Sequence, residues 1–306
     1  MKNYIDKNGV EILPFYPTQY KLVKSGCLIE VYQFGKDILI NRRLGKIRKM
    51  EENLPKAEVD KEASLKSSAR RAKRMIKRLI YTNSFNWFKA KGEAYLPITI
   101  TLTFRENLQN LRQANNEFTK FIKRLNYETN RIEGKELKQS NLKYLAVFEL
   151  QQRGAIHYHC IFFNLPYINR IYDRLKDIWR NGMVNIGGTK KGLNKIKNQT
   201  KLKKIIDYFI KYIQKSIFEN SFPNQKKYIT SKGLIKPRQQ YFEEVIKLIR
   251  DKLPIEALVF KHDGEQDYYD GKAENNFLKW FNYWQYDLAK FPSLNKLIDE
   301  IMNEYS

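Results

Sequence analysis

Two stretches of the 306-residue chain carry residue types and spacings able to do chemistry. The first runs from Phe148 to Phe163 and includes Glu149, Gln152-Arg153-Gly154 and His157-Tyr158-His159, so it holds two of the protein's three histidines. In an extended segment side chains alternate, which puts His157 and His159 on one face and Tyr158, Cys160 and Phe162 on the other. Tyr144 to Leu150 reads as a partner strand. A three-residue loop, Gln152-Arg153-Gly154 with Gly154 left-handed, would set Glu149 opposite His157. Two imidazoles and a carboxylate on one sheet face make a divalent-metal site with positions left for outside ligands. A two-residue loop would shift the register, turn Glu149 away and leave a pair of half-exposed polar histidines. The second stretch, Ile205 to Ile217, has an apolar helical stripe of Ile206, Phe209, Ile213 and Ile217. Tyr208, Lys211, Tyr212 and Lys215 recur at i, i+3, i+4 and i+7 on its opposite side. Phenols among ammonium groups suit nucleophilic attack on a phosphate, the lysines offsetting its charge. The plainer reading is an amphipathic helix with half-buried tyrosines.

The elements that must position these groups follow from periodicity. Tyr95 to Phe104 is a strand with Ile98, Ile100, Leu102 and Phe104 on one face. Thr99, Thr101 and Thr103 are on the other, either solvated or lining a site. Leu111, Ala114, Phe118, Phe121, Ile122 and Leu125 then recur at helical spacing. After the two strands around Gly154, Ile168, Ile171, Leu175, Ile178 and Trp179 make another helical stripe, and Met183 to Ile186 a short strand. The order strand, helix, strand, strand, helix, strand predicts an α+β class with a ferredoxin-like βαββαβ domain: an antiparallel sheet with helices on one face, leaving the other for His157, His159 and Glu149. The tyrosine helix comes next. This domain spans 95–218. An N-terminal accessory region, 1–94, holds a small hairpin around Ser25-Gly26, a charged linker from Arg42 to Lys61 and a basic helix. A C-terminal accessory region covers 219–306.

Lys and Arg number 57 against 33 Asp and Glu, a net charge of +24, which calls for a polyanionic partner. Nucleic acid fits better than a membrane, because 20 Tyr, 18 Phe and 4 Trp supply stacking groups and no apolar run reaches membrane-spanning length. In the basic helix, Leu65 to Ile80, the residues Lys66, Arg70, Arg71, Lys73, Arg74, Lys77 and Arg78 occur without an acid among them, a pattern suited to tracking DNA phosphates. No acid falls between Asp177 and Asp207 either, where Lys203 and Lys204 lead into the tyrosine helix. With only Cys27 and Cys160, no disulfide framework is available, and a reducing cytosol is expected. No signal-peptide core follows the N-terminus. The Gly-Lys dipeptides are never followed by Ser or Thr, so no Walker A loop and no nucleotide cofactor are expected. The aromatic group Phe277, Trp280, Phe281, Tyr283, Trp284 and Tyr286 reads as a DNA or partner surface, or as a packed helical tail.

Together these stretches resemble the HUH endonuclease superfamily, specifically rolling-circle replication initiators of phages and plasmids in their two-tyrosine form. Ile98-Thr99-Ile100-Thr101-Leu102-Thr103-Phe104 is similar to the first motif, Glu149 with His157-Tyr158-His159 to the metal-binding second, and Tyr208 to Lys215 to the catalytic third. The resemblance implies single-strand DNA nicking and joining through a 5′-phosphotyrosine, with manganese or magnesium held by His157, His159 and Glu149. Tyr212 would be the primary nucleophile, Tyr208 its alternate and Lys211 its electrostatic aid. Implied partners are origin DNA, single- and double-stranded, a host helicase and a single-strand-binding protein, in the bacterial cytoplasm. Two other readings remain: a transposase with the same chemistry, and a basic nucleic-acid-binding protein without catalysis.

Overall fold

The computed structural model describes residues 4–5, 11–12, 15–41, 61–187, 196, 198–218, 228–269 and 276–305. The expected linker, residues 42–60, and most of the lysine-rich loop after Gly187 lie outside them. So do the side chains of Lys66, Tyr212, Lys215 and Phe277, for which only the backbone is described. Strands β1 (Tyr4–Ile5), β2 (Glu11–Ile12), β3 (Phe15–Ser25) and β4 (Leu28–Asn41) come first, followed by helix α1 (Lys61–Asn83). Next are β5 (Ile98–Phe104), α2 (Leu111–Glu133), β6 (Tyr144–Leu150), β7 (Ile156–Phe162), α3 (Ile171–Trp179), β8 (Gly182–Ile186) and α4 (Gln199–Phe218). The chain continues through β9 (Tyr228–Thr230), β10 (Arg238–Gln240), α5 (Glu243–Lys252), β11 (Leu258–Tyr269), β12 (Asn276–Asp287) and α6 (Pro292–Glu304). It divides into two compact units, residues 59–236 and residues 1–58 with 237–306. Among the described residues no helix is long and apolar enough to cross a membrane.

In the unit 59–236 the sheet order is β8-β5-β7-β6-β9, antiparallel throughout. Its first four strands, with α2 and α3, form the expected ferredoxin-like βαββαβ arrangement. Alternation puts Ile98, Ile100, Leu102 and Phe104 of β5 and Tyr158, Cys160 and Phe162 of β7 into one core with Ala114, Phe118, Phe121 and Leu125 of α2 and Leu175 and Trp179 of α3. The Phe118 and Tyr158 rings stack at 4.6 Å, and the Trp179 indole donates to the Thr103 carbonyl at 3.0 Å. Each such aromatic contributes about 1.5–3 kcal/mol by burial alone. β5 starts at Ile98 instead of Tyr95 because Pro97 has no amide to give a ladder, and the Tyr95 amide is used by the Trp87 carbonyl at 2.8 Å. The N-terminus of α2 is capped by Asn110, whose side chain accepts from the Gln113 amide, and left-handed Gly134 ends the helix.

The second face of this sheet is partly covered. Helix α4 packs on β6, and α1 packs on α4. Leu202, Ile206 and Phe209, spaced i, i+4 and i+7, are buried along α4, as are Leu145 and Val147 of β6 and Ile161 of β7. Helix α4 is thereby fixed against the face that carries the histidines.

The other unit has an antiparallel sheet ordered β10-β3-β4-β12-β11, with β3 and β4 joined at left-handed Gly26. The C-terminal aromatic group is therefore a strand, not a helical tail. Its alternation sends Trp284 and Tyr286 into a core with Leu22, Ile29 and Val31, while Phe281 and Tyr283 join Tyr32, Phe34 and Phe260 on the opposite face. The Tyr32 and Tyr283 hydroxyls both donate to Glu30 Oε1, at 3.0 and 2.9 Å.

Candidate metal centre and tyrosine helix

The β6–β7 turn decides whether the acid meets the histidines. The Gln151 amide donates to the Ala155 carbonyl at 2.9 Å, leaving Gln152-Arg153-Gly154 as a three-residue loop in which Gly154 has φ 86°. Glu149 consequently pairs with His157 and Val147 with His159, and all three donors emerge on one face. Glu149 Oε1 lies 3.2 Å from His159 Nε2 and 3.9 Å from His157 Nδ1. One ligand atom from each residue falls within 4.8 Å of the others. Glu149 and His159 are buried and His157 is half-buried.

Strand β5 supplies partners that sequence reading left open. Thr101 stands opposite His159 and Thr103 opposite His157. Thr101 Oγ1 is 3.3 Å from His159 Nδ1, Thr103 Oγ1 bonds His157 Nε2, and Gln151 Nε2 lies 3.3 Å from His157 Nδ1. The polar alternation of Thr99, Thr101 and Thr103 was the available signal; Gln151 had none. Such outer contacts orient the rings, and two oriented imidazoles with a carboxylate can hold a divalent cation. Burial pushes the His159 pKa below its ordinary value, with His157 adding to the effect and Glu149 opposing it. A neutral imidazole is the form that a cation or a proton acceptor requires.

Helix α4 brings a phenol to this pair. The Tyr208 hydroxyl lies 3.1 Å from His159 Nδ1, with its ring edge-on to the imidazole at 5.3 Å. Glu149, His159 and Tyr208 therefore form a continuous carboxylate–imidazole–phenol chain. When Nε2 carries the proton and donates to Glu149, Nδ1 accepts from the phenol; when Nε2 binds a cation, Nδ1 carries the proton and donates to the phenol oxygen. Lys203, Lys204 and Lys211 are exposed on the same helix. The backbone of Tyr212 is one turn beyond Tyr208, and that of Lys215 nearly one turn further.

Arg70, Arg71 and Arg74 are exposed on α1, and Lys77 is half-buried. Arg78 departs from the expected outward position: residues 78–84 are all buried, so the close of the helix is enclosed beyond its apolar stripe. Residues 59–236 hold 37 of the 57 Lys and Arg and 13 of the 33 Asp and Glu, and so account for the entire +24.

Residues 97–217 match the ORF2-type family of replication-associated proteins. The matched segment opens one residue before β5 and closes one residue before the end of α4. It takes in the βαββαβ elements, all three metal-ligand candidates and both tyrosines, and leaves out α1 and the second unit. Spanning about two fifths of the chain, this similarity supports a part in replication. No curated protein and no solved structure matches the chain.

Proposed function

We propose that this protein is a replication initiator that nicks and rejoins single-stranded DNA at an origin through a 5′-phosphotyrosine. The observation that carries the reading is the 3.1 Å approach of Tyr208 to His159, inside a cluster able to hold a cation and inside the segment matching a replication-associated family. His157, His159 and Glu149 hold a divalent ion, manganese or magnesium, which when bound polarises the scissile phosphate as a Lewis acid. Tyr208 and Tyr212, one helical turn apart, serve as nucleophiles in turn. The phenol oxygen bonds to phosphorus, the P–O3′ bond breaks, the phenolic proton is released and the departing 3′-oxygen gains one. Lys211 offsets charge on the phosphate. Rejoining is the reverse attack by a 3′-hydroxyl. Arg70, Arg71 and Arg74, with Lys203 and Lys204, hold the DNA by its phosphates. Origin DNA is the partner in both single- and double-stranded form. A host helicase and a single-strand-binding protein supply strand separation, in the bacterial cytoplasm.

The test is incubation of the full chain with labelled single-stranded and supercoiled origin DNA plus manganese, followed by denaturing electrophoresis. A covalent adduct is expected that disappears in the Tyr208→Phe/Tyr212→Phe double variant and in His157→Ala. Tight binding to the origin with no adduct would overturn the reading. The two single tyrosine variants then assign the first attack.

A further inference from the structure

Thr103 and Gln151 meet different nitrogens of the His157 ring. Thr103 Oγ1 bonds Nε2, whereas Gln151 Nε2 lies 3.3 Å from Nδ1. Nδ1 is also the nitrogen that faces Glu149 Oε1, at 3.9 Å. The atom through which His157 would join a cation shared with Glu149 is therefore the atom that Gln151 contacts.

Which end of the Gln151 amide faces the ring is fixed from its other side. Arg153 Nε donates to Gln151 Oε1 at 3.3 Å, and a guanidinium has donors only, so the amide oxygen turns to Arg153 and the NH2 group to the imidazole. Arg153 is held in its turn by the end of β5, where Nη1 donates to the Arg105 carbonyl at 3.3 Å and Nη2 to the Phe104 carbonyl. The β6–β7 turn between the two residues is closed by the Gln151 amide on the Ala155 carbonyl at 2.9 Å and the Gly154 amide on the Gln151 carbonyl at 2.8 Å. An NH2 group that donates to Nδ1 requires a lone pair there, which leaves the ring proton on Nε2, beside Thr103. A divalent cation needs the same lone pair. Gln151 and the ion thus compete for one atom. The amide oxygen, which could itself ligate a cation, is kept facing the other way by Arg153.

We propose that Gln151, aimed by Arg153, is a placeholder for the divalent cation on His157: it keeps Nδ1 free of a proton and directed at Glu149, and it yields that atom to the ion. The inference rests on the cation site of the proposed function and on no step of the nicking reaction. Gln151 and Arg153 are positioning residues, acting through His157. Their consequence is a cation held less tightly than the three ligands alone would hold it. A contact that merely oriented the ring would have the opposite effect, because losing such a partner weakens metal binding about 10- to 100-fold.

The probe is Mn²⁺, titrated against the full chain after chelation, with the free ion read by electron paramagnetic resonance. Gln151→Met keeps the length of the side chain and removes its donors. The dissociation constant should fall about two- to tenfold, the worth of one net hydrogen bond. An unchanged or higher constant overturns the proposal. Arg153→Met should also lower the constant, by letting the amide turn its oxygen to the ion, and this gain should vanish in the Gln151→Met background. An equal gain in both backgrounds would mean that the guanidinium acts by charge alone, and overturns its aiming role. Nitrogen-15 spectra of the chelated protein supply a readout independent of affinity: the His157 proton is expected on Nε2, and a proton on Nδ1 overturns the proposal. A parent protein that binds no Mn²⁺ overturns the metal centre and the placeholder with it. Mn²⁺ binding that follows these expectations without any covalent adduct sinks the nicking function alone.

Discussion

Residues 59–236 carry 24 more cationic than anionic side chains, whereas residues 1–58 with 237–306 hold 20 of each. In the first unit, arginines and lysines stand exposed along α1 and α4 around a cluster of buried polar residues. In the second, charges are matched locally, as in Lys24 with Asp299 at 2.8 Å, and one sheet face is occupied by paired aromatic rings. The excess positive charge and the candidate metal centre are therefore located in the same unit, the arrangement that the proposed nicking function calls for, because a positive field concentrates a polyanion around it. The second unit cannot select a partner by net charge.

The sharpest way to break this contrast is to disable each unit in turn and read the adduct. His159→Ala should lower adduct formation by about 100- to 1,000-fold, of the order lost when a positioned catalytic group is removed. Tyr283→Phe, which deletes one bond to Glu30, should leave it within about twofold.

Stability gives the next largest difference. Tyr158→Ala removes a fully buried ring stacked on Phe118 and should cost about 3–5 kcal/mol in urea unfolding. Tyr283→Phe should cost about 1 kcal/mol. Similar losses would mean that the aromatic face of the second unit is as tightly built as the core of the first.

Salt dependence comes third. Replacing Arg70, Arg71 and Arg74 together by Gln should flatten the slope of log K against log salt for duplex DNA by about 0.9 per phosphate contact removed. Replacing Lys247, Arg250 and Lys252 should leave that slope unchanged. An equal effect from the two triplets would place DNA on both units.

The smallest effect is one of pH. Hydrogen bonds from Arg131, and next from Arg174, hold Glu128 below the ordinary carboxylate range against the opposing effect of burial. Its contribution is present above the unfolded pKa of about 4.5 and is lost as pH falls through the lower folded value. Glu128→Gln should therefore weaken the protein at pH 6 and make its stability fall less steeply below pH 4.5, measured by denaturant midpoints. A variant as acid-sensitive as the parent would remove this α2–α3 clamp from the balance of the first unit.

The grouping of Glu149, His157 and His159 was legible because a strand repeats every two residues and the loop length follows from Gly154. The βαββαβ order was legible for the same local reasons. Thr101 and Thr103 were visible only as a polar face, since nothing local says that β5 lies beside β7. Arg78 was misjudged because a helix reads as amphipathic whether or not its end is enclosed. The pairing of β3 with β10 and of β4 with β12 joins segments more than 200 residues apart, which no periodicity reports. The C-terminal aromatics alternate, but their number obscured that they serve two faces.

The three-residue loop at Gln152-Arg153-Gly154 works as a length gauge. Substituting Gln152 or Arg153 would leave the register in place, and only Gly154, at φ 86°, resists a side chain, while deleting one residue would invert one strand against the other, sending polar donors into an oily interior or rings into water. Sequence drift at the first two positions of this corner is tolerable where a change of length is not. The site is thereby written into a count of residues as well as into their identities.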